Sequence, residues 1–315
     1  MTLYILLFVV GLVTVSLGAD WLVTGASRIA AHRGVSPLVV GLTIVAFGTS
    51  APELVVSTTA ALQGRAGLAV GNVMGSTVAN VGLIVGIGAL VSPLVVQDRL
   101  LQRETPLLVM LLLIVMVFSI NGEIGRVDGL VLIGVFVLYL AHLHRWGAAG
   151  GVLTDSLIEE AKQRAVATGR QYVNWIRLAL GLALLLLGAT WLVDAAVALA
   201  RVLEIPEEVI GATLVAVGTS VPELATTVSA AVRGMGDIAM GNIVGSNIFN
   251  LGLVLGVAAT AAPLHLSPFT VVAEVVPALV FCLALVPLAI SGSRVSRLEG
   301  GVLLVGYAAF LYLIL

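Results

Sequence analysis

The chain contains two copies of one sequence pattern, and this duplication constrains its fold more than any other feature. The first copy spans residues 41–83 and the second spans residues 211–253, and they align without a gap at an offset of 170 residues. About half of the aligned positions are identical, including the segments GTSAPE and GTSVPE and the Gly-Asn pair that follows each of them. Each copy places one glutamate, Glu53 or Glu223, inside an apolar run. A carboxylate repeated within two apolar segments indicates a functional role, because it is costly in a bilayer.

The composition is that of a membrane protein. Hydrophobic residues make up 60% of the 315 positions and charged residues only 10%, which is too little charge for the surface of a soluble domain of this size. Apolar runs of about 20 residues, the length that spans a bilayer, recur along the chain. We therefore predict an all-α integral membrane protein, because helices satisfy their own backbone hydrogen bonds in lipid. The first apolar run has no basic segment ahead of it and is interpreted as a retained helix rather than a signal peptide.

Sequence matches at the same offset extend beyond the two motifs. Gly18 matches Gly188, and Glu104 matches Glu274. We therefore predict two five-helix repeats, residues 1–143 and 173–315, joined by a polar loop at residues 144–172. Because five is an odd number, the second repeat is expected to be inverted in the membrane relative to the first. The ten predicted transmembrane helices lie at residues 3–26, 36–62, 67–92, 104–120, 125–143, 173–199, 206–231, 236–260, 267–290 and 298–315.

The distribution of basic residues predicts the orientation. With ten spans, twelve of the fifteen Arg and Lys residues fall on one side of the membrane. The positive-inside rule makes this side cytoplasmic. The loop at residues 144–172 is then cytoplasmic and both termini are outside. The short loop and the lack of an organelle-targeting segment favour a prokaryotic plasma membrane.

The segment GTSAPE, residues 48–53, is predicted to break the second helix near the middle of the membrane. Gly48 permits unusual backbone angles, and Pro52 removes a hydrogen-bond donor. The break should free a backbone carbonyl for an ion, with Ala46 as the predicted source. In the third helix, Ser76 and Asn80 are four residues apart and share one face. The second repeat has the same pattern, so we predict that broken second/third and seventh/eighth helices form a central ion site.

This site would contain about twelve ligand residues, each offering a carboxylate, hydroxyl, amide or carbonyl oxygen. Oxygen ligands suit hard cations such as Ca²⁺ and Na⁺ rather than zinc or copper. Two facing carboxylates in a bilayer must either bind cations or hold protons, and competition of ions for one site is what antiport requires. The candidate ligands are Ala46, Thr49, Ser50, Glu53, Ser76, Asn80, Ala216, Thr219, Ser220, Glu223, Ser246 and Asn250.

The motifs GTSAPE…GNVMGSTVAN and GTSVPE…GNIVGSNIFN resemble the α-repeats of the sodium/calcium exchanger family, within the Ca²⁺/cation antiporter superfamily. The resemblance covers essentially the whole membrane region. It implies a prokaryotic-type antiporter that exchanges Ca²⁺ for Na⁺ and binds both at the twelve residues named above. It also implies that the first and sixth helices move against the other eight. Neither an enzymatic activity nor a cofactor is expected, and neither nucleic acid nor an obligatory protein partner is predicted.

One position departs from the family pattern and keeps alternatives open. The second repeat of sodium/calcium exchangers often has Asp where this chain has Asn250, so a proton-coupled exchanger or an exchanger of another divalent cation is an alternative. Neither motif has the Glu that follows the Gly-Asn pair in calcium/proton exchangers, which favours Na⁺. A passive channel is a further alternative that the broken-helix pattern argues against. An intramembrane hydrolase is a remote one, because no His or Lys adjoins Ser50 or Ser220 to activate a nucleophile.

Four other repeated polar residues are predicted to have supporting roles. Glu104 and Glu274 lie near the membrane ends of their helices, and we predict that each caps its helix or pairs with an arginine rather than taking part in transport. Ser57 and Thr227 follow the repeated glutamates by one helical turn. We predict that they do not bind the ion and at most hold the ligand residues in position.

Overall fold

A computed structural model describes residues 2–33, 35–147, 171–203, 216–267, 271–290 and 294–314, and these residues are almost entirely helical. Most of the predicted polar loop and the first five residues of the second motif lie outside the described ranges. The first half contains α1 (Thr2–Arg33), α2 (Pro37–Thr49), α3 (Ala51–Leu62), α4 (Ala66–Val91), α5 (Leu100–Asn121) and α6 (Arg126–Gly147). The second half contains α7 (Gln171–Val202), α8 (Ala216–Gly218), α9 (Val221–Val232), α10 (Gly236–Ala261), α11 (Val271–Val275, continuing as Val276–Ile290) and α12 (Arg297–Ile314).

Several of these helices have the length and composition of membrane spans. Among the described residues, α1, α4, α5, α6, α7 and α10 are long and apolar enough to cross a bilayer. Helices α2 and α3 are bent by 47° and would form a seventh span if taken together. Shorter apolar helices cover Val221–Val232 and Val271–Pro287. The predicted all-helical, membrane-type fold is therefore confirmed for this part of the chain.

The predicted break in the second helix is confirmed at Ser50. Its backbone angles, φ −85° and ψ 8°, lie outside the helical range, and Pro52 falls in the first turn of α3. Proline is tolerated there because the first turn of a helix has no partner for its backbone donors. Ser220 has nearly the same angles, φ −90° and ψ 4°, at the start of α9. The two motifs therefore impose the same break on both halves.

The prediction that the third and eighth helices are also broken is wrong. Helices α4 and α10 each continue without interruption for 26 residues, since neither contains a proline. Their irregularity is instead a π-helical segment within the helix, at Asn80–Val85 in α4 and at Asn250–Val254 in α10. Each segment begins at a predicted ligand asparagine. Such π-helical turns are frequent at functional sites.

The longest contact between the two halves is made by α1 and α7, which pack through glycines. A Cβ atom added to Gly18 would lie 2.4 Å from the backbone nitrogen of Leu185. A Cβ atom added to Gly188 would lie 2.6 Å from the backbone nitrogen of Val15. The second contact is the first with the repeats exchanged, because Gly188 and Leu185 are the counterparts of Gly18 and Val15 at the offset of 170 residues. The glycines therefore allow an approach of the two backbones that a side chain would prevent.

Two short antiparallel strand pairs also join the halves reciprocally. Strand β1 (Leu94–Val95) follows α4 and pairs with β4 (Arg294–Val295), which precedes α12. Strand β2 (Glu123–Ile124) precedes α6 and pairs with β3 (Leu264–His265), which follows α10. Each half thus contributes one strand after its motif and one before its last helix. Each pair therefore connects the end of a motif helix, α4 or α10, to the start of the last helix of the other half, α12 or α6.

Candidate functional site

The predicted ligands occupy the interior of the helical bundle. Thr219 is partly exposed, and the side chain of Ala216 lies outside the described residues. The other ten are buried, with at most 1% of each residue exposed: Ala46, Thr49, Ser50, Glu53, Ser76, Asn80, Ser220, Glu223, Ser246 and Asn250.

Glu223 lies among side chains from both halves. Its Oε1 atom accepts hydrogen bonds from the hydroxyls of Ser50, at 3.0 Å, and Ser246, at 3.1 Å. The two hydroxyl oxygens are 2.5 Å apart. Ser50 marks the break between α2 and α3, whereas Glu223 and Ser246 come from α9 and α10. The carboxylate of the second repeat is therefore held by the broken helix of the first.

The repeat-equivalent group around Glu53 is arranged differently. Within the described part of the chain, the hydroxyls of Ser76 and Ser220 have no partner and do not bond Glu53, so Thr219 is the side chain that interacts with this carboxylate. Buried polar atoms in proteins nearly always have partners, so a group of unpartnered oxygens requires an explanation. Coordination of a hard cation uses this combination of a carboxylate and neutral oxygens.

Two asparagines that were not among the predicted ligands bracket the site symmetrically. Asn72 accepts a hydrogen bond from Thr219 at 3.2 Å and donates one to Ser57 at 2.9 Å. Asn242, 170 residues later, accepts one from Thr49 at 3.2 Å and donates one to Thr227 at 3.4 Å. Each asparagine thus connects a hydroxyl at the break in one repeat to the helix after the break in the other. The signal was available, since the Gly-Asn pair is repeated in both motifs.

A second asparagine pair spans the centre of the bundle and does not follow the repeat. The Asn80 amide donates to the Asn247 side-chain oxygen at 2.8 Å and to the Ser246 hydroxyl at 3.3 Å. Asn247 in turn donates to the Thr77 backbone oxygen at 3.5 Å. Sequence reasoning missed Asn247 because its repeat counterpart is Thr77 rather than asparagine. Both polar side-chain atoms of Asn250 are buried without a partner among the described residues.

The expectation that the break leaves the Ala46 carbonyl free is wrong. This oxygen accepts a hydrogen bond from the Ser50 backbone nitrogen at 3.0 Å and another from the Thr49 hydroxyl at 3.3 Å. The helical bond pattern survives up to Ser50, so the break changes direction without exposing the carbonyl. An ion could bind this oxygen only if the Thr49 hydroxyl turned away.

These observations define a class of protein. A pair of buried carboxylates from equivalent positions of two repeats, surrounded by hydroxyl and amide groups inside a membrane-type helical bundle, is typical of a cation transporter. It offers charge and oxygen ligands for hard cations.

Comparison with known proteins identifies the family. The family described as sodium/calcium exchanger protein matches residues 3–144 and 173–315, so the chain belongs to the sodium/calcium exchanger family. The sodium/calcium exchanger MaX1 of Methanosarcina acetivorans is 34% identical, over 98% of each chain. The inner membrane protein YrbG of Escherichia coli is 38% identical, over 83% of this chain and 81% of its own length. The protein is therefore a membrane antiporter for cations rather than an enzyme.

The fold agrees with that of a solved exchanger. The structure of the sodium-calcium exchanger NCX_Mj superposes with a TM-score of 0.84 at 32% identity and covers 100% of this chain and 99% of its own. Fold and sequence thus indicate the same family over the whole length. The predicted resemblance to sodium/calcium exchangers is confirmed.

Proposed function

We propose that the protein exchanges Ca²⁺ for Na⁺ across the membrane by alternating access. The observation that carries this proposal is the pair Glu53 and Glu223, fully buried at equivalent positions of the two repeats. Two carboxylates neutralise one Ca²⁺ ion, whereas Na⁺ ions need the same oxygens in a different grouping. Binding of one ion species therefore excludes the other, which couples their movements.

The twelve predicted ligands divide by role in this proposal. Glu53 and Glu223 supply the charge, and the remaining residues supply neutral oxygens that complete the ion's shell and discriminate by size. The unpartnered oxygens near Glu53 favour that half as the first to receive a cation. The neutral ligands are Thr49, Ser50, Ser76, Asn80, Thr219, Ser220, Ser246 and Asn250, together with the carbonyls of Ala46 and Ala216.

The architecture that we propose is two inverted five-helix repeats, residues 1–143 and 173–315, with ten transmembrane helices. The reciprocal glycine contacts of α1 with α7 and the reciprocal strand pairs support a two-fold relation between the halves. An odd number of helices in each repeat makes that relation an inversion. In this arrangement the loop at residues 144–172 is cytoplasmic, both termini are outside, and the plasma membrane of a prokaryote is the proposed location.

The exchange reaction can be tested in proteoliposomes. Vesicles loaded with Na⁺ should accumulate radioactive Ca²⁺ when diluted into Na⁺-free buffer, and vesicles without internal Na⁺ should not. The Glu223→Gln variant should abolish uptake, because one carboxylate leaves the charge of Ca²⁺ half-compensated. The Glu123→Gln variant is the control for loss of a carboxylate, since this glutamate lies in strand β2 and contacts His265 rather than a predicted ligand.

Asn250 gives a specific reason to test proton coupling in the same vesicles. Its neutral amide is fully buried and unpartnered in the described structure, so the site has one carboxylate fewer than the common family pattern. Uptake driven by an outward proton gradient without Na⁺ would replace the Na⁺ assignment with proton coupling. Uptake in neither condition, with purified protein shown to be folded, would contradict Ca²⁺ exchange.

A further inference from the structure

Equivalent polar residues of the two repeats do not have equivalent partners. Glu104 forms an ion pair with Arg99, whose Nε atom is 3.4 Å from its Oε1 atom, whereas the equivalent Glu274 forms no ion pair within the described ranges. The predicted pairing with an arginine is therefore confirmed for Glu104 and is not seen for Glu274. Inside the candidate site, a difference of the same kind separates Asn80 from Asn250.

The side chain of Asn80 is held through its nitrogen atom. Its Nδ2 atom donates to Oδ1 of Asn247 at 2.8 Å and to the hydroxyl of Ser246 at 3.3 Å. That hydroxyl in turn donates to the Glu223 carboxylate at 3.1 Å, so hydrogen bonds run without a gap from Asn247 to the candidate site. The Oδ1 atom of Asn80 is buried and has no hydrogen-bond partner among the described residues.

Hydrogen-bond chemistry decides which way the two amides face. The Asn247 side chain lies 3.5 Å from the backbone oxygen of Thr77. A carbonyl oxygen only accepts hydrogen bonds, so the atom of Asn247 that faces it must be the nitrogen. The oxygen of Asn247 then faces Asn80, which must present its own nitrogen in return. The atom of Asn80 that remains free is its oxygen, a ligand atom that suits a hard cation.

Asn250, at the equivalent position of the second repeat, has no such partner. The counterpart of Asn247 in the first repeat is Thr77, whose hydroxyl donates to the backbone oxygen of Val73 in its own helix at 2.8 Å. Neither polar side-chain atom of Asn250 has a hydrogen-bond partner in the part of the chain that the structure describes. The orientation of the Asn250 amide is therefore not fixed by a contact of the kind that fixes Asn80.

We propose that Asn247 is a positioning residue for ion binding, which holds the side-chain oxygen of Asn80 ready for the cation and does not bind the ion itself. This inference rests on the proposed exchange function. A ligand whose orientation is set before the ion arrives loses little freedom on binding, so the affinity for the ion is higher. Asn250, without such a partner, can turn either its oxygen or its nitrogen toward the site.

The test measures equilibrium binding of radioactive Ca²⁺ to the purified protein, which gives a Kd without transport. Asn247→Thr introduces the residue that the first repeat has at this position, and its hydroxyl should bond within α10 as that of Thr77 does within α4. The Kd for Ca²⁺ should rise by about tenfold, since residues that orient metal ligands have effects of this size. Asn247→Leu keeps a similar side-chain size without the hydrogen bonds and should give the same increase.

A second background separates positioning of Asn80 from a general structural role. Asn80→Asp presents an oxygen in either orientation of its carboxylate and no longer needs Asn247 to orient it. In this background Asn247→Thr should weaken Ca²⁺ binding by less than about twofold, because the two effects are coupled and do not add. Thr260→Val is the control, since it removes a hydroxyl of α10 whose hydrogen bond to Gly256 stays within that helix. It should leave the Kd unchanged in both backgrounds.

The outcomes separate this inference from the proposed function. An equal increase in Kd with and without Asn80→Asp would show that Asn247 acts on the fold rather than through Asn80, and would overturn the inference. An unchanged Kd in both Asn247→Thr and Asn247→Leu would also overturn it. Absence of Na⁺-driven Ca²⁺ uptake by vesicles containing the wild-type protein would instead contradict the exchange function itself.

Discussion

At the scale of single residues, the two carboxylates of the site differ in their neighbours although their motifs are alike. Glu223 accepts two hydroxyl hydrogen bonds from Ser50 and Ser246. The equivalent hydroxyls near Glu53, those of Ser220 and Ser76, have no partner in the described structure. A hydrogen bond to a charged group stabilises a protein by about 1.5–3 kcal/mol. We therefore expect the Glu223 half to be stabilised by the protein itself and the Glu53 half to depend more on a bound cation.

This difference predicts unequal effects on stability for two equivalent substitutions. Ser50→Ala removes a hydrogen bond to the Glu223 carboxylate and should lower the stability of the ion-free protein by roughly 1–3 kcal/mol. Ser220→Ala removes no hydrogen bond seen in the structure and should change it by less than about 0.5 kcal/mol. Ser220→Ala should instead reduce the increase in melting temperature that Ca²⁺ produces. Equal melting temperatures for the two ion-free variants would contradict the asymmetry.

The same residues show how far the sequence could predict the site. Repetition identified the carboxylates and the hydroxyls, because both motifs carry them at one offset. It could also have identified Asn72 and Asn242, whose bracketing hydrogen bonds are equivalent. It could not identify Asn247, whose role depends on a contact with Asn80 across the bundle. Contacts that violate the repeat leave no repeated signal in the sequence.

At the scale of helices, the sequence predicted where the chain bends but not how the unbroken helices deviate. Gly48 and Pro52 act locally, so the break at Ser50 follows from the motif itself. The π-helical segments that begin at Asn80 and Asn250 contain no proline. They depend on the packing of α4 and α10 at the centre, which a linear pattern does not describe.

The contact of α1 with α7 leads to a second prediction. Gly18→Ala should destabilise the protein by roughly 1–3 kcal/mol, because the new methyl group would lie 2.4 Å from a backbone nitrogen that has no room to move. Gly134→Ala in α6 is the matched control, since nothing lies within 4 Å of its added Cβ. The control should be neutral or more stable by about 0.5–1 kcal/mol. Melting temperatures of both variants in the same detergent test the prediction. Equal values would contradict it and show that α1 and α7 can move apart at little cost.

At the scale of the whole molecule, the helices α1 and α7 relate differently to the two halves. Helix α1 packs along α9, whereas α7 makes no comparable contact with the equivalent helix α3 in the described structure. Cavities lie at both places: one of about 510 Å³ is lined by residues of α1 and α9, and one of about 200 Å³ beside α7 is lined by residues that include Pro52, Thr190 and Thr219. Exchange of the two repeats would convert this arrangement into its opposite, with α7 on α3 and α1 apart from α9. In the alternating-access cycle that we propose, this asymmetry would correspond to one of the two states.

Of the two equivalent helix pairs, α1 with α9 and α7 with α3, only the first has an ion pair among the described residues. Arg233, at the end of α9, contacts the carboxylate of Asp20 in α1, and both side chains are partly exposed. The equivalent positions in the other pair of helices are Gln63 and Thr190, which cannot form an ion pair. Exposed pairs contribute about 0.2–1 kcal/mol. Such an energy shifts a two-state equilibrium by up to about fivefold.

The ion pair leads to a third prediction, about the balance between the two states. Arg233→Gln should increase the population in which α1 is separated from α9, by up to about fivefold, because it removes the attraction present in only one state. Spin labels on α1 and α9 would report the populations as a distance distribution, and Arg233→Lys should retain the wild-type distribution.

Thr190→Asp combined with Gln63→Arg would place an equivalent ion pair between α7 and α3, and it should favour the opposite state in the Arg233→Gln background. Identical distributions in all of these variants would show that the pair is a surface contact without influence on access. Opposite shifts would instead show that the balance between the two states depends on an ion pair that joins α1 to α9 and has no counterpart between α7 and α3.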